Sequence, residues 1–248
     1  MVAAQPVPMV FDNRTSDSIA MANDVYESIK VPSGVYAPQE DSLLLLTSLA
    51  ERDLVAGGRV LDLCTGSGVL AVGAAVLGAG HVRAYDISPR AVAATRANAA
   101  AAGVVVHAHT GSLHEALDAG PYDVVVSNPP YVPANTLVDA SIGLARTWHG
   151  GRDGRSLLDP LCVLAPDLLA PGGTMLLVQS EFSDVDRSLV ELRAGGLHAE
   201  VIERQMIPFG PVLMENARWL EILGRLESGR REEELVVIRA DKAEGSRS

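Results

Sequence analysis

Two short runs in this 248-residue chain carry residue types that can do chemistry. The first is Asn128-Pro129-Pro130-Tyr131. A side-chain amide or an exocyclic amine is a poor nucleophile, because its nitrogen lone pair is delocalised into a π system. The Asn128 side-chain carbonyl and the Pro129 backbone carbonyl can each accept a hydrogen bond from such an –NH2 group. That holds the lone pair toward an electrophile and stabilises the charge that develops on nitrogen. Successive prolines fix φ near −65°, so the acceptors stand in place before a substrate arrives. Tyr131 can lay its ring face over the planar group. Asn128, Pro129, Pro130 and Tyr131 are therefore the expected catalytic residues. No general base is needed where a cofactor supplies the reactive group.

The second run is Asp62-Leu63-Cys64-Thr65-Gly66-Ser67-Gly68. Its glycines let the backbone turn tightly and approach a ligand closely. Gly66-x-Gly68-x-x-Ala71, with Asp86 about 20 residues on, formally fits a dinucleotide fingerprint and hence a nicotinamide-dependent oxidoreductase. Asp62 separates the two cofactors. At the mouth of a strand its carboxylate would repel a pyrophosphate, whereas it suits the ammonium and sulfonium groups of S-adenosylmethionine. Asp86 fits the ribose of either. The expected cofactor is S-adenosylmethionine, with S-adenosylhomocysteine as its product. Cys64 reads as a small filler, since no His or Lys flanks it.

These residues must be positioned by a sheet. Val60–Leu63, Val82–Tyr85, Val104–His107, Val124–Ser127, Met175–Gln179, Ala199–Gln205 and Leu235–Arg239 read as strands. Helical stretches are expected at Glu40–Glu51, Val69–Leu77, Pro89–Ala102, Gly154–Leu169, Ser183–Arg193 and Met214–Leu226. Apolar strands alternating with helices imply an α/β, doubly wound, mostly parallel sheet covered on both faces. Seven strands suit the Rossmann-like methyltransferase sheet, in which the last strand inserts antiparallel beside the fifth. Both chemical runs then follow strands at one edge. Residues 1–34 read as a loose N-terminal arm, and residues 35–248 as the methyltransferase domain.

Composition narrows the partners. The chain is 48% hydrophobic with a net charge of −11, and Lys30 and Lys242 are its only lysines. Such acidity disfavours broad binding to a phosphate backbone. Cys64 and Cys162 stand far apart, and His107 and His109 share a strand face without a third ligand, so no metal site is expected. Met1–Phe11 lacks a cationic segment before an apolar run, and no stretch approaches the ~18 apolar residues of a membrane span. A cytoplasmic protein is expected. Arg230–Glu234 reads as a solvated charged turn, and Glu181 as surface.

Taken together, these motifs resemble the HemK-type protein-glutamine methyltransferases. The resemblance runs from about Val35 to Gln179, more than half the chain. Val35-Tyr36-Ala37-Pro38-Gln39-Glu40-Asp41-Ser42 is similar to the V-Y-x-P-x-E-D-[ST] segment of the short eukaryotic and archaeal branch. Trp148-His149-Gly150-Gly151-Arg152-Asp153-Gly154 is similar to the family stretch W-x-G-G-x-[DN]-G. The resemblance implies that Ser42, Asp62, Cys64 and Gly66 line the methionine end of the cofactor, that Asp86 takes the ribose and that Ser112 lies near the adenine. Gly68, Ile87 and Leu113 are expected as further cofactor contacts, and Asn128 for both cofactor and acceptor.

The acceptor so implied is a glutamine side-chain amide in a protein, a translation release factor above all, and a small activating subunit is typical of the branch. The alternative acceptor is an exocyclic amine of adenine or guanine. Three departures stand out. Ser112 occupies a position that often carries Asp. No counterpart of the bacterial helical N-terminal domain is read in the first 34 residues. Finally, Met206–Glu233 is longer than a tight connection, and its Phe209, Trp219 and Leu220 could cover the site, pack on the core or form a dimer surface.

Overall fold

The computed structural model describes residues 13–135 and 150–245. Strands form where apolar runs can be covered on both faces: β1 (Arg59–Leu63), β2 (His81–Asp86), β3 (His107–Thr110), β4 (Tyr122–Ser127), β5 (Leu169–Ser180), β6 (His198–Pro208) and β7 (Glu232–Asp241). They make one sheet in the order β3-β2-β1-β4-β5-β7-β6. β1 to β5 pair in parallel, and β7 is antiparallel to both β5 and β6. This is the expected doubly wound sheet with its last strand beside the fifth. Strand order reverses at β1 and β4, so a crevice opens beyond their carboxyl ends.

The helices are α1 (Asn13–Ser28), α2 (Glu40–Glu51), α3 (Val69–Val76), α4 (Pro89–Ala101), α5 (Leu113–Asp118), α6 (Leu158–Leu168), α7 (Val185–Ala194) and α8 (Pro211–Ile222). Leu45, Leu46 and Leu49 of α2 are fully buried against the sheet. Each contributes roughly 1.5–3 kcal/mol by leaving water. Among the described residues no helix is long and apolar enough to cross a membrane.

Several local expectations fail for identifiable reasons. Residues 13–28 are a helix and not a loose arm. Its packing stripe is thin, with Ala22 and Val25 buried and Tyr26 donating a hydrogen bond to the Pro38 carbonyl at 3.2 Å. So narrow a stripe barely raises the apolar periodicity of the segment. β3 begins three residues late, at His107, because Val104 and Val106 pack with Val25 and Val72 as a link from α4. α5 goes unread in the sequence, although Ser112 and Glu115 form its capping box.

The Pro171-Gly172-Gly173 turn sits within β5 as a bulge. The pairing jumps from Tyr122–Leu169 to Val124–Thr174. α6 starts at Leu158 because Gly154 and Arg155 are held elsewhere. The buried Arg155 guanidinium donates to the Ser183 and Asp184 carbonyls and to Ser188, and pairs with Asp159 and Glu191.

The Met206–Glu233 stretch is shared between both ends of the β6–β7 hairpin and α8. Phe209, Leu213, Ala217, Leu220 and Leu226 form a small second core with Phe182, and Trp219 packs against it half-buried. The Arg230–Glu234 run is not a solvated turn. Arg230 pairs with Glu181, Glu181 also accepts from the Glu234 N–H at 2.7 Å, and Glu233 is 3% exposed.

Candidate active site

The loop from β1 into α3 is bent by left-handed residues: Cys64 at φ +63°, Gly66 at +55° and Gly68 at +88°. At Gly68 the requirement is double, since a Cβ there would lie 2.8–2.9 Å from Thr95, its Cα included. Glycine therefore permits both the turn and the close packing of α4. From α4, Thr95 donates to the Gly66 carbonyl at 3.2 Å and Asn98 to the Ser67 carbonyl at 2.8 Å. From β2, one Asp86 oxygen accepts from the Gly66 N–H at 3.0 Å, while its other oxygen accepts from the Ser88 N–H. The loop is thus held rigid from two sides.

Asp62 lies fully buried beneath this loop. One carboxylate oxygen accepts from the Thr65 hydroxyl at 2.6 Å and from the Ala71 N–H at 3.0 Å. The other oxygen has no hydrogen-bond partner. Burial pushes its carboxyl up to about 7 against those two hydrogen bonds, and the Asp86 charge adds to the rise. Burial likewise raises the Cys64 thiol, which leaves it uncharged and unreactive as a nucleophile.

The opposite wall is assembled from distant segments. β4 ends at Ser127, whose hydroxyl donates to the Leu63 carbonyl at 3.0 Å and so ties the two strand ends together. Asn128 follows, and its Nδ2 donates to the Ser42 hydroxyl at 3.1 Å. Asp41, in the first turn of α2, gathers the neighbours. It accepts from the Ser42 N–H and hydroxyl, from the Tyr36 hydroxyl at 2.8 Å and from the Tyr131 hydroxyl at 3.0 Å. Burial and the Asp41 charge raise both tyrosines, which stay protonated. Gly154 lies behind Tyr131, where a Cβ would stand 2.2 Å from the Tyr131 carbonyl oxygen.

Between the walls lies a cavity of about 320 Å³. Ser42, Cys64, Gly66, Asn128, Pro129, Pro130 and Tyr131 line it, as do Tyr36 and Asp41. Ile207, Gly210 to Leu213 and Glu233 close one side. The long β6–β7 connection therefore both packs its own core and covers the cavity. Burial pushes the Glu233 carboxyl up to about 7 against a hydrogen bond from Ser180, and the nearby Asp41 charge raises it further. One Glu233 oxygen has no partner.

Not every candidate from the sequence meets here. Asp62 lies behind the lining, and Gly68 just beyond it. Asp86 reaches the cavity only through its bond to Gly66. Ile87 is an exposed residue after β2, Ser112 is committed to capping α5, and Leu113 is buried in that helix. His107 packs edge-on to His81, and His109 stacks on Tyr85. Trp148 and His149 lie outside the described residues. Asp41, Tyr36, Glu233, Thr95 and Asn98 are contributors that sequence reasoning missed. Asp41 lies inside the Val35–Ser42 segment, beside Ser42, but nothing in the spacing marks it as the centre of a network.

A family model described as the methyltransferase small domain matches residues 28–143. A putative protein N5-glutamine methyltransferase of Methanocaldococcus jannaschii is 31% identical over 191 residues, spanning 76% of this chain and 94% of that protein. The chain belongs to the HemK-type glutamine methyltransferases. It is a methyltransferase, and it fits the short branch of that family. The release factor glutamine methyltransferase of Deinococcus radiodurans is 37% identical over 65% of this chain but only 59% of its own length. Among solved structures, a chain of the E. cuniculi Mtq2–Trm112 complex shares the fold. Its TM-score is 0.58 at 24% identity, over 85% of this chain and 99% of that one.

Proposed function

We propose that the chain transfers a methyl group from S-adenosylmethionine to the side-chain amide nitrogen of a glutamine in a protein, a release factor being the first candidate. The observation that carries this reading is the state of Asn128. Its NH2 is committed to Ser42, so its carbonyl oxygen is the group left to accept from a substrate. The Pro129 carbonyl, which takes no backbone hydrogen bond among the described residues, is the second acceptor. Two acceptors match two N–H bonds, and a carboxylate or hydroxyl could not satisfy both.

The residues around the Gly66 loop fit S-adenosylmethionine. A buried carboxylate with an unpartnered oxygen lies beneath the loop, and the cavity beside it is otherwise largely apolar. Cys64, Thr65 and Gly66 would hold the methionine end, with Asp62 acting through the loop and Asp86 near the ribose. Bound there, the cofactor supplies an electrophilic methyl group. Asn128 and Pro129 orient the acceptor nitrogen and stabilise its developing charge, and Tyr131 excludes water on one face. Asp62 beneath the Gly66 loop and Asp86 beside it would disfavour a pyrophosphate there through the loop and not by contact, which weighs against the nicotinamide reading.

The names of the archaeal and Deinococcus relatives support glutamine over a nucleobase as acceptor. A chain of the Mtq2–Trm112 complex shares the fold, which supports an assembly with a partner, and a small activating subunit belongs to this reading. The test is labelled S-adenosylmethionine incubated with the chain and a cell lysate, followed by protease or nuclease. Label lost to protease and mapped to glutamine is the expected result. Label lost only to nuclease would overturn it in favour of the nucleobase.

A further inference from the structure

The catalytic use of Asn128 depends on which way its amide faces, because the two ends differ in hydrogen-bonding sense. Presented as C=O, it accepts from an acceptor –NH2. Presented as NH2, it donates and would favour a carbonyl or carboxylate instead. Asn128 cannot fix this alone, as the rotated amide occupies the same space.

We propose that Asp41 is a positioning residue that sets the Asn128 amide through the Ser42 hydroxyl. The first link is Asp41, 4% exposed and surrounded by donors. The oxygen that accepts the Ser42 N–H at 2.5 Å also takes the Ser42 hydroxyl at 3.1 Å, while its other oxygen takes the Tyr36 and Tyr131 hydroxyls. A backbone N–H cannot reverse its sense, so an oxygen atom must stand at that position. The second link is Ser42. Its single hydroxyl proton is spent on Asp41, so toward Asn128 it can only accept. The third link is Asn128, which must therefore turn its NH2 to Ser42 and its carbonyl oxygen away. In this scheme Asp41 acts through Ser42 and not on the transferred group itself. Its place in the first turn of α2 suits a carboxylate, since that helix end favours negative charge.

This inference deepens the reading of Asn128 as the residue that holds an acceptor –NH2, and it rests on that reading. It separates two variants of one residue. Asp41→Asn keeps an oxygen facing the Ser42 N–H, so the relay survives, with the new NH2 turned to the tyrosine hydroxyls. Asp41→Ala removes the oxygen, and the Ser42 hydroxyl is then free to donate to Asn128 and reverse it. Ser42→Ala breaks the relay without touching Asp41, and Ser42→Thr preserves it.

The experiment measures kcat for each variant of the full chain, S-adenosylhomocysteine affinity, and the affinities of two peptides. One peptide carries the acceptor glutamine and the other a glutamate in its place. Asp41→Ala and Ser42→Ala should each lower kcat about 100-fold, the scale of losing one preorganised partner of the transition state. Asp41→Ala should hold S-adenosylhomocysteine within about tenfold, and both variants should lose most of the preference for glutamine over glutamate, because discrimination between the two is set by hydrogen-bonding sense.

Asp41→Asn and Ser42→Thr should keep both properties within about tenfold of the parent. Undiminished glutamine preference in Asp41→Ala and Ser42→Ala would overturn the relay. So would an Asp41→Asn chain as impaired as Asp41→Ala, which would mean that charge and not the oxygen matters. A parent chain that methylates a different –NH2 acceptor and binds neither peptide removes the glutamine reading. The order of kcat values on that acceptor then decides the relay by itself.

Discussion

The two ends of the cavity are built on opposite plans. At the Gly66 end, one continuous stretch from Asp62 to Ala71 makes the turn, and neighbouring helices and strands tie it down with single hydrogen bonds. At the Asn128 end, residues 36–42, 128–131 and 233 come from three separate parts of the chain. A local loop owes its shape to backbone conformation, so its weak points are glycines. An assembled wall owes its shape to a polar network, so its weak points are buried carboxylates and their donors. Each end nonetheless holds one buried acid with an unpartnered oxygen, Asp62 and Glu233.

The largest effect expected is at the assembled wall. Asn128→Ala should lower kcat about 1000-fold while S-adenosylhomocysteine affinity stays within about tenfold, the signature of a contact made in the transition state. Steady-state kinetics with calorimetry checks this, and a parallel loss of cofactor binding would show that the two ends are not separable. Gly68→Ala should strike the other end. Strain at φ +88° and the contact with Thr95 predict a loss of about 2–4 kcal/mol, read as a lower melting temperature. An unchanged melt would mean that the loop is held more loosely than its geometry implies.

Glu233→Gln tests the buried acid of the wall through pH. In the folded chain the Glu233 carboxyl is raised to about 7 from an ordinary 4.5. Between those values the unfolded chain ionises while the folded chain keeps its proton, so stability falls as pH rises and the penalty is complete above 7. The glutamine variant should match the parent near pH 4 and be more stable at pH 8, by an amount on the order of 3 kcal/mol. Equal stability differences at both pH values would show that Glu233 is not desolvated. The smallest effect belongs to Tyr131→Phe, which keeps the ring and removes one hydrogen bond to Asp41. It should cost about fivefold in kcat, in line with roughly 1 kcal/mol for such a bond.

Much of the local loop was legible in sequence. Glycine spacing, a strand before it and an acid after it are short-range signals; Gly66 and Cys64 line the cavity, while Asp86 ends β2 and holds the Gly66 N–H. Asn128 to Tyr131 were legible for the same reason, since a Pro-Pro run after an apolar strand constrains its own backbone. Asp62 was legible as a residue, but its position beneath the lining was not, because burial depends on how Thr65 and Ala71 fold back over it. Glu233 was hidden by its company. Within Arg230-Arg231-Glu232-Glu233-Glu234 it reads as one more surface charge, and only pairing with Ile207 on β6 turns it inward. β3 was misplaced because valines that pack on a helix look like a strand when only apolar content is counted.

The sequence alone determined the doubly wound sheet, the glycine turn and the planar –NH2 chemistry, because strand periodicity, left-handed glycines and successive prolines act over a few residues. Tertiary structure alone decided that Asp41 is the hub of the acceptor wall, that Glu233 is buried and that α8 covers the cavity. Those outcomes depend on contacts between residues far apart in the chain, such as Asp41 with Tyr131, Ser42 with Asn128 and Ile207 with Glu233. Nothing in local spacing encodes which distant hydroxyl a buried carboxylate will meet.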